Sequence, residues 1–251
     1  MTGSDLRIAV LSDVHGNAFA AEAVLRDMQQ CSPDLTVNLG DQVWGQADPL
    51  RALELQRGLN ALEVRGNNDE VLALPADELP SHKRAVGAWL TEQLPLAERK
   101  RLAALPLRAV LADGEVLASH GTPASPWNSL LIHYDSSTQR ARRRTEDEIA
   151  GRLQDFGGYR VYLVGHMHRA DTRTIGDTLL VNVGPVNWPN DGDPRAAWLL
   201  LERRGGMWHA EHRRVAYDYQ AAARWIRESG APDREEIELI LEPKDDILQD
   251  S

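Results

Sequence analysis

Short continuous apolar runs alternate, through the first half of the chain, with longer stretches whose apolar residues fall three or four apart. Leu6 to Leu11 is the first run and predicts a buried strand. A turn from Ser12 to Asn17 follows, then a helix in which Ala21, Val24, Leu25 and Met28 share one face, stopped by Pro33. Leu35 to Leu39 predicts a second strand, Leu50 to Leu59 a second helix, and Leu62 to Val64 a third strand ending at Gly66. This order predicts a right-handed βαβαβ start.

Leu72 to Leu105 has a helical pattern punctuated by Pro75, Pro80, Pro95 and Pro106, with Trp89 and Leu90 in the core. Leu107–Leu111 and Glu115–Ser119 flank Ala112-Asp113-Gly114 and predict an antiparallel hairpin. Thr145 and Glu148 have the spacing of a capping box, opening a helix that runs to Gly157-Gly158. Arg160–Val164, Leu179–Val183, Ala196–Leu201 and Met207–Val215 then read as strands, and Tyr217–Ser229 as a late helix. The fold class expected is α/β, with two sheets enclosed by helices.

A length of 251 residues, 42% hydrophobic and 26% charged, excludes disorder as the main state and suffices for a sizeable core. A single domain is expected over 1–232, followed by an acidic helix and tail over 233–251. That tail carries eight acids and two bases, or −6 of the net −10, and reads as a solvated helix with a frayed end. The overall charge is the wrong sign for a nucleic-acid coat, and no extended nucleic-acid surface is evident. Arg140, Arg142, Arg143 and Arg144 form the one basic cluster and read as a solvated approach to the next helix, with no role in chemistry. No apolar run is long enough for a membrane span. The only cysteine, Cys31, reads as a small hydrophobe at a helix end and fits a reducing compartment, so a cytoplasmic location is expected.

Five polar clusters interrupt the pattern, each after an apolar strand: Asp13-Val14-His15, Gly40-Asp41, Gly66-Asn67-Asn68-Asp69, His120-Gly121 and Gly165-His166-Met167-His168. Carboxyl ends of strands in an open α/β sheet converge on one crevice, so these clusters can meet. Asp-x-His or Gly-Asp alone is common by chance, whereas Gly-His-x-His is expected only roughly 0.02 times in such a composition. Imidazoles, carboxylates and an amide oxygen without thiolate suit Mn, Fe, Zn, Ni or Co. Asp13, His15, Asp41, Asn67, His120, His166 and His168 are more donors than one tetrahedral ion uses, and the two oxygens of Asp41 could bridge a pair of ions suited to phosphoryl transfer. Taken alone, Asp13-x-His15 reads better as a polar turn capping the following helix, and it is the other clusters that turn it into a metal-ligand pair. Asp69 could orient a neighbour or simply close a turn. The remaining histidines, His82, His133, His209 and His212, read as surface or partner-bonded.

These clusters, in this order, resemble the calcineurin-like metallophosphoesterases, and Asn182 to Val186 with Asp191 to Ala196 resembles the glycine-rich turn and Gly-Asp-Pro-Arg-Ala segment of small bacterial members. The resemblance implies a four-layer αββα sandwich of two mixed sheets flanked by helices. It implies that Asp13, His15, Asp41 and His168 hold one divalent metal and Asp41, Asn67, His120 and His166 another, manganese being the expected ion with Fe, Zn, Ni or Co as alternatives. The implied reaction is attack on phosphorus by a hydroxide shared between the metals, which with their histidines stabilise the equatorial oxygens. The catalytic set is then Asp41, Asn68, His120 and His168.

Many members carry a histidine where this chain has Asn68, and an amide cannot donate a catalytic proton, so phosphodiesters and activated esters are the expected substrates. Asn67 and Asn68 are expected to touch the substrate, a small phosphoester with nucleotides among the candidates. Trp44, Trp127 and Trp188 follow three of the clusters and could stack a flat group, or pack locally. Trp89, Trp198 and Trp225 read as core. The alternatives are a phosphoprotein or nucleotide monoesterase, dinucleoside polyphosphate hydrolases included, and a metal-binding scaffold for protein partners.

Overall fold

The computed structural model describes residues 5–135, 140–232, 235–245 and 248–249. The chain opens with β1 (Leu6–Leu11), α1 (Ala18–Gln30), β2 (Leu35–Asn38), α2 (Pro49–Arg57), β3 (Leu62–Glu63) and α3 (Asn67–Val71). Asn17 caps α1, its side chain accepting from Ala20 N–H at 3.0 Å, and the helix ends at buried Cys31. The proline-punctuated helical stretch forms 3₁₀ turns at 76–78 and 81–83, then α4 (Arg84–Gln93) and α5 (Leu96–Ala103). Pro75, Pro80 and Pro95 each stand immediately before one of these pieces, because proline lacks the N–H that would continue the preceding turn.

The second half runs β4 (Arg108–Leu111), β5 (Val116–Ser119), β6 (Ile132–Asp135), β7 (Arg140–Arg143), α6 (Glu146–Leu153), β8 (Val161–Val164), β9 (Asp171–Ile175) and β10 (Thr178–Asn182). It finishes with β11 (Ala196–Arg204), β12 (Met207–Val215), α7 (Tyr219–Glu228), α8 (Glu235–Leu241) and β13 (Leu248–Gln249). The capping box of α6 forms as expected, with Thr145 N–H donating to Glu148 at 2.9 Å and Glu148 N–H to the Thr145 hydroxyl at 3.3 Å.

Two five-stranded sheets, in the orders β12-β11-β1-β2-β3 and β4-β5-β8-β10-β9, carry the fold. Their centres, β1-β2-β3 and β5-β8-β10, are parallel, and β11, β12, β4 and β9 pair antiparallel outside them. Side chains alternate across each strand. Ile8, Val10, Leu199 and Leu201 face Val116, Ala118, Val161 and Leu163 between the sheets, while Ala9, Leu11, Trp198 and Leu200 face α1. On the far side Leu117, Tyr162, Val164 and Leu180 pack with Ile149 of α6. The result is the expected αββα layering of mixed sheets.

Several elements differ from expectation. β6, β7 and β13 form a third small sheet, and β7 is the basic run, in which Ala141 is buried and Arg144, just past its end, is buried as well. The acidic helix is not solvated all round, because Ile237, Ile240 and Glu236 of α8 are buried and its isoleucines pack into the cluster holding Trp44, Trp89 and Ile226. Glu236 accepts from both Gln46 N–H and Gln46 Nε2, each at 3.0 Å. Trp89 and Trp198 are buried and Trp225 packs on the core, as expected, while Trp208, which the sequence alone does not place, donates to Glu115 at 2.7 Å. No helix among the described residues is long and apolar enough to cross a membrane.

Candidate metal centre

Asp13 and His15 follow β1, Asp41 follows β2, Asn67 and Asn68 follow β3, His120 follows β5, and His166 and His168 follow β8. Parallel strands deliver all of them to one end of the two facing sheets. The loops that carry them bend sharply: Asp13 (φ 55°), His15 (45°), Asp41 (55°), His166 (70°) and His168 (53°) are left-handed, as is Trp188 (57°). Such a backbone costs a non-glycine residue about 1–3 kcal/mol, and here the surroundings hold it in place. Asp13 N–H donates to Gly40 O at 3.0 Å and His15 N–H to Asp41 O at 2.9 Å, lacing the first loop to the second. Gly40 (φ 97°) lets the second loop lie against the third, since a Cβ there would be 2.3 Å from Gly66 N.

Three histidines are held in one tautomer. Nδ1 of His15 lies 2.7 Å from Trp44 O, that of His120 2.9 Å from Leu39 O, and that of His168 2.8 Å from Trp188 O. A carbonyl only accepts, so each Nδ1 carries the proton and each Nε2 of a neutral ring presents a lone pair. Those lone pairs meet carboxylate oxygens. Asp13 Oδ1 is 3.9 Å from His15 Nε2, 3.8 Å from His120 Nε2 and 3.4 Å from His168 Nε2. Asp41 Oδ2 is 3.6 Å from both His15 Nε2 and His120 Nε2. Asn67 Oδ1 lies 3.0 Å from His120 Nε2 and 2.9 Å from His166 Nδ1.

The residues fit a metal. Asp13 Oδ1 is buried and finds no hydrogen-bond partner among the described residues, although it faces three imidazoles. Donors about 2.0–2.2 Å from one tetrahedral ion stand roughly 3.3–3.6 Å apart, close to the spacings observed here. Two groups, Asp13 with His15 and His168, and Asp13 with Asp41 and His120, each bring their ligand atoms within 4.8 Å of one another. Burial depresses His15 and His166 to about 4, so both are neutral ligands at pH 7.

Asp69 orients its neighbours: its carboxylate accepts from Gly66 N–H at 2.9 Å, Asp41 N–H at 2.8 Å and Gln42 N–H at 3.1 Å. Burial first and the Asp41 charge second push it up to about 7 in the absence of a metal. Asn68 is turned onto Asp41, its N–H donating to Oδ1 at 2.8 Å and its amide to Oδ2 at 2.5 Å. Its own oxygen accepts from Lys83 Nζ at 2.5 Å. Lys83 is the residue that sequence reasoning missed. It lies 5.0 Å over the Trp44 ring and 5.4 Å over the Trp127 ring, and burial lowers its pKa despite the pull of Asp41.

The three rim tryptophans separate. Trp44 is buried in the α4–α8 cluster, so its ring is packing. Trp188 stacks on His15 with centroids 4.2 Å apart, at the centre itself. Trp127 is 45% exposed, the most open of the three, and its Nε1 donates to Glu70 at 3.0 Å. Of the histidines outside the clusters, His212 bonds Thr172 at 2.9 Å.

Known proteins resemble the chain over most of its length. The family model described as the calcineurin-like phosphoesterase superfamily domain matches residues 6–204. An uncharacterized protein of Methanocaldococcus jannaschii is 28% identical over 247 residues, covering 90% of this chain and 94% of its own. The crystal structure of a metallophosphoesterase from Sphaerobacter thermophilus is similar at 26% identity and a TM-score of 0.71, over 94% of this chain and 98% of that one. A hypothetical protein of Pyrococcus horikoshii shares the fold at 19% identity and a TM-score of 0.78, over 95% and 99% of the two chains.

Proposed function

We propose, from the premise that the chain belongs to the calcineurin-like phosphoesterase superfamily, that it hydrolyses phosphodiesters or activated phosphoesters with two divalent transition metals, manganese being favoured. Asp13, His15, Asp41 and His168 would hold one ion and Asp41, Asn67, His120 and His166 the other. The observation that carries this reading is the placement of Asp41 Oδ2, 3.6 Å from His15 Nε2 on one side and 3.6 Å from His120 Nε2 on the other. When bound, such a pair of ions polarises the phosphoryl oxygens and makes water nucleophilic near neutral pH.

The chain's own residues supply the rest. Carbonyl bonds at Nδ1 fix the three imidazoles, so no reorganisation is needed on binding. Asn68, which cannot give a proton, holds Lys83 Nζ beside the cluster instead. The ammonium there would bind the leaving-group oxygen and can release a proton to it as the P–O bond breaks.

Hydrolysis of bis-p-nitrophenyl phosphate and p-nitrophenyl phosphate by chelator-stripped protein titrated with Mn²⁺ tests the reading, with Asp41→Asn as control. Metal-dependent turnover, reduced more than about 100-fold in the variant, is the expected outcome. Bound metal without turnover, through Mn²⁺, Fe²⁺, Co²⁺, Ni²⁺ and Zn²⁺ alike, would favour the scaffold reading.

A further inference from the structure

Arg144 stands just beyond β7 with its side chain only 8% exposed, an unusual place for a charge. Its guanidinium is poorly compensated. One nitrogen lies 3.5 Å from the Ser129 hydroxyl and another 3.7 Å from Glu148, while Nε is buried without a partner among the described residues. Glu148 is already committed to Arg142 through two bonds of 2.8 Å and to Thr145 N–H at 2.9 Å. Burial, followed by the neighbouring Arg152, lowers the pKa of Arg144, as expected of a cation lacking an anion. A buried charge left unpaired is costly, so its retention calls for a partner.

The surroundings indicate what that partner is. Arg144 lines a cleft of about 570 Å³ that begins at His166 of the metal centre and carries Lys244 on another wall. Trp127 and Tyr134, 45% and 44% exposed, line the same cleft and offer flat apolar surface. A larger cleft of about 830 Å³ runs along α8, but none of the metal donors lines it. The volume beside His166 lies in the range of small-ligand pockets, and two cations line it together with that histidine.

We propose that this cleft receives a second phosphate of the substrate, on Arg144 and Lys244, so that the ester hydrolysed at the adjacent centre is polyphosphorylated and nucleotide-like, its flat ring lying against Trp127 or Tyr134. This deepens the hydrolytic reading and rests on it. Planar guanidinium geometry matches a phosphate through paired N–H donors, and the guanidinium of Arg144 is 3.7 Å from Glu148, too far for a hydrogen bond.

The test compares p-nitrophenyl butyl phosphate with p-nitrophenyl 3-phosphonopropyl phosphate, which differ chiefly in the second anion, on Mn²⁺-loaded protein. The wild type is expected to prefer the charged ester by about tenfold or more in kcat/KM, the scale of a hydrogen bond to a charged group. In Arg144→Met that ratio should fall toward one, with Arg144→Lys between and the exposed Lys244→Gln lowering it in part. A ratio unchanged across these variants, or no preference in the wild type, overturns the site; a merely structural loss would lower both rates and leave the ratio. Binding of methylenebisphosphonate to the metal-free protein is read separately, and should weaken about tenfold in Arg144→Met. Should both esters prove inert, the hydrolytic reading fails, and unaltered bisphosphonate binding would overturn the anion site independently.

Discussion

Between the sheets, Ile8, Val10, Val37, Leu39 and Leu163 are aliphatic and fully buried, on or next to strands whose alternation sends every second side chain inward. Just past the ends of β1, β2 and β5, Asp13, His15, Asp41 and His120 are just as buried but polar, and three of these four sit on left-handed backbone. In the first region local preference, burial and pairing agree. In the second they conflict, and geometry is held only because neighbouring loops bond one another across the gap. Stability thus resides in one region while the other is kept poised for a cation that local forces do not supply.

The contrast is broken most strongly from the apolar side. Leu163→Ala should destabilise the fold by about 2–5 kcal/mol, seen as a lower Tm, while metal stoichiometry at 20 °C stays that of the wild type. Lost metal binding in a folded L163A protein would mean that the two regions are not separable. On the polar side, Lys83→Met should lower kcat about 10²-fold for alkyl leaving groups and far less for nitrophenyl ones. Equal losses for both would remove Lys83 from the leaving-group side, and Tm should barely move in either case.

The smallest expected effect sharpens the comparison at the periphery, where Asp27 on α1 accepts from Arg213 Nε at 2.9 Å and from Trp198 Nε1 at 2.8 Å. The Arg213 bond, helped by Trp198 and opposed by burial, lowers the Asp27 pKa below its ordinary 3.8. A depressed carboxylate stabilises the fold above the unfolded value, and the contribution is lost as pH falls below 3.8 through the folded value. Asp27→Asn should therefore be less stable than wild type by about 1 kcal/mol at pH 7, the two converging under stronger acid. A difference that persists undiminished at pH 2 would refute the assignment.

The same division governs what the sequence made legible. β1, β5, β8, β10 and β11 were readable because they are buried and apolar. β6, β7 and β9 were not, since Ile132-His-Tyr-Asp, Arg140-Ala-Arg-Arg and Asp171-Thr-Arg-Thr-Ile lie in a small sheet or on an edge, where polar side chains face outward. The seven donors converge as their strand-end positions suggested, because residue type and spacing encode them. Nothing in the sequence signalled the left-handed backbone beneath five of them, which tertiary bonds impose. Lys83 lies on a short 3₁₀ turn in a proline-broken stretch and belongs to none of the polar clusters, and Arg144 is hidden in a charge run that usually means solvent. Trp44 looked like a rim residue because the helices covering it come from distant sequence.

β1 stands in the middle of its sheet, between β2 and β11, with Leu6 opposite Arg203 and Val10 opposite Leu199. A growing chain therefore exposes Asp13 and His15 long before the strand that braces their loop exists. At about 5–20 residues per second, roughly ten to forty seconds of translation separate the two. Such long-range closure is slow in folding, so the centre is among the last parts of the molecule to be completed. An ion held there would be captured by a nearly finished protein, and its selection would then depend on what is offered at the end of synthesis.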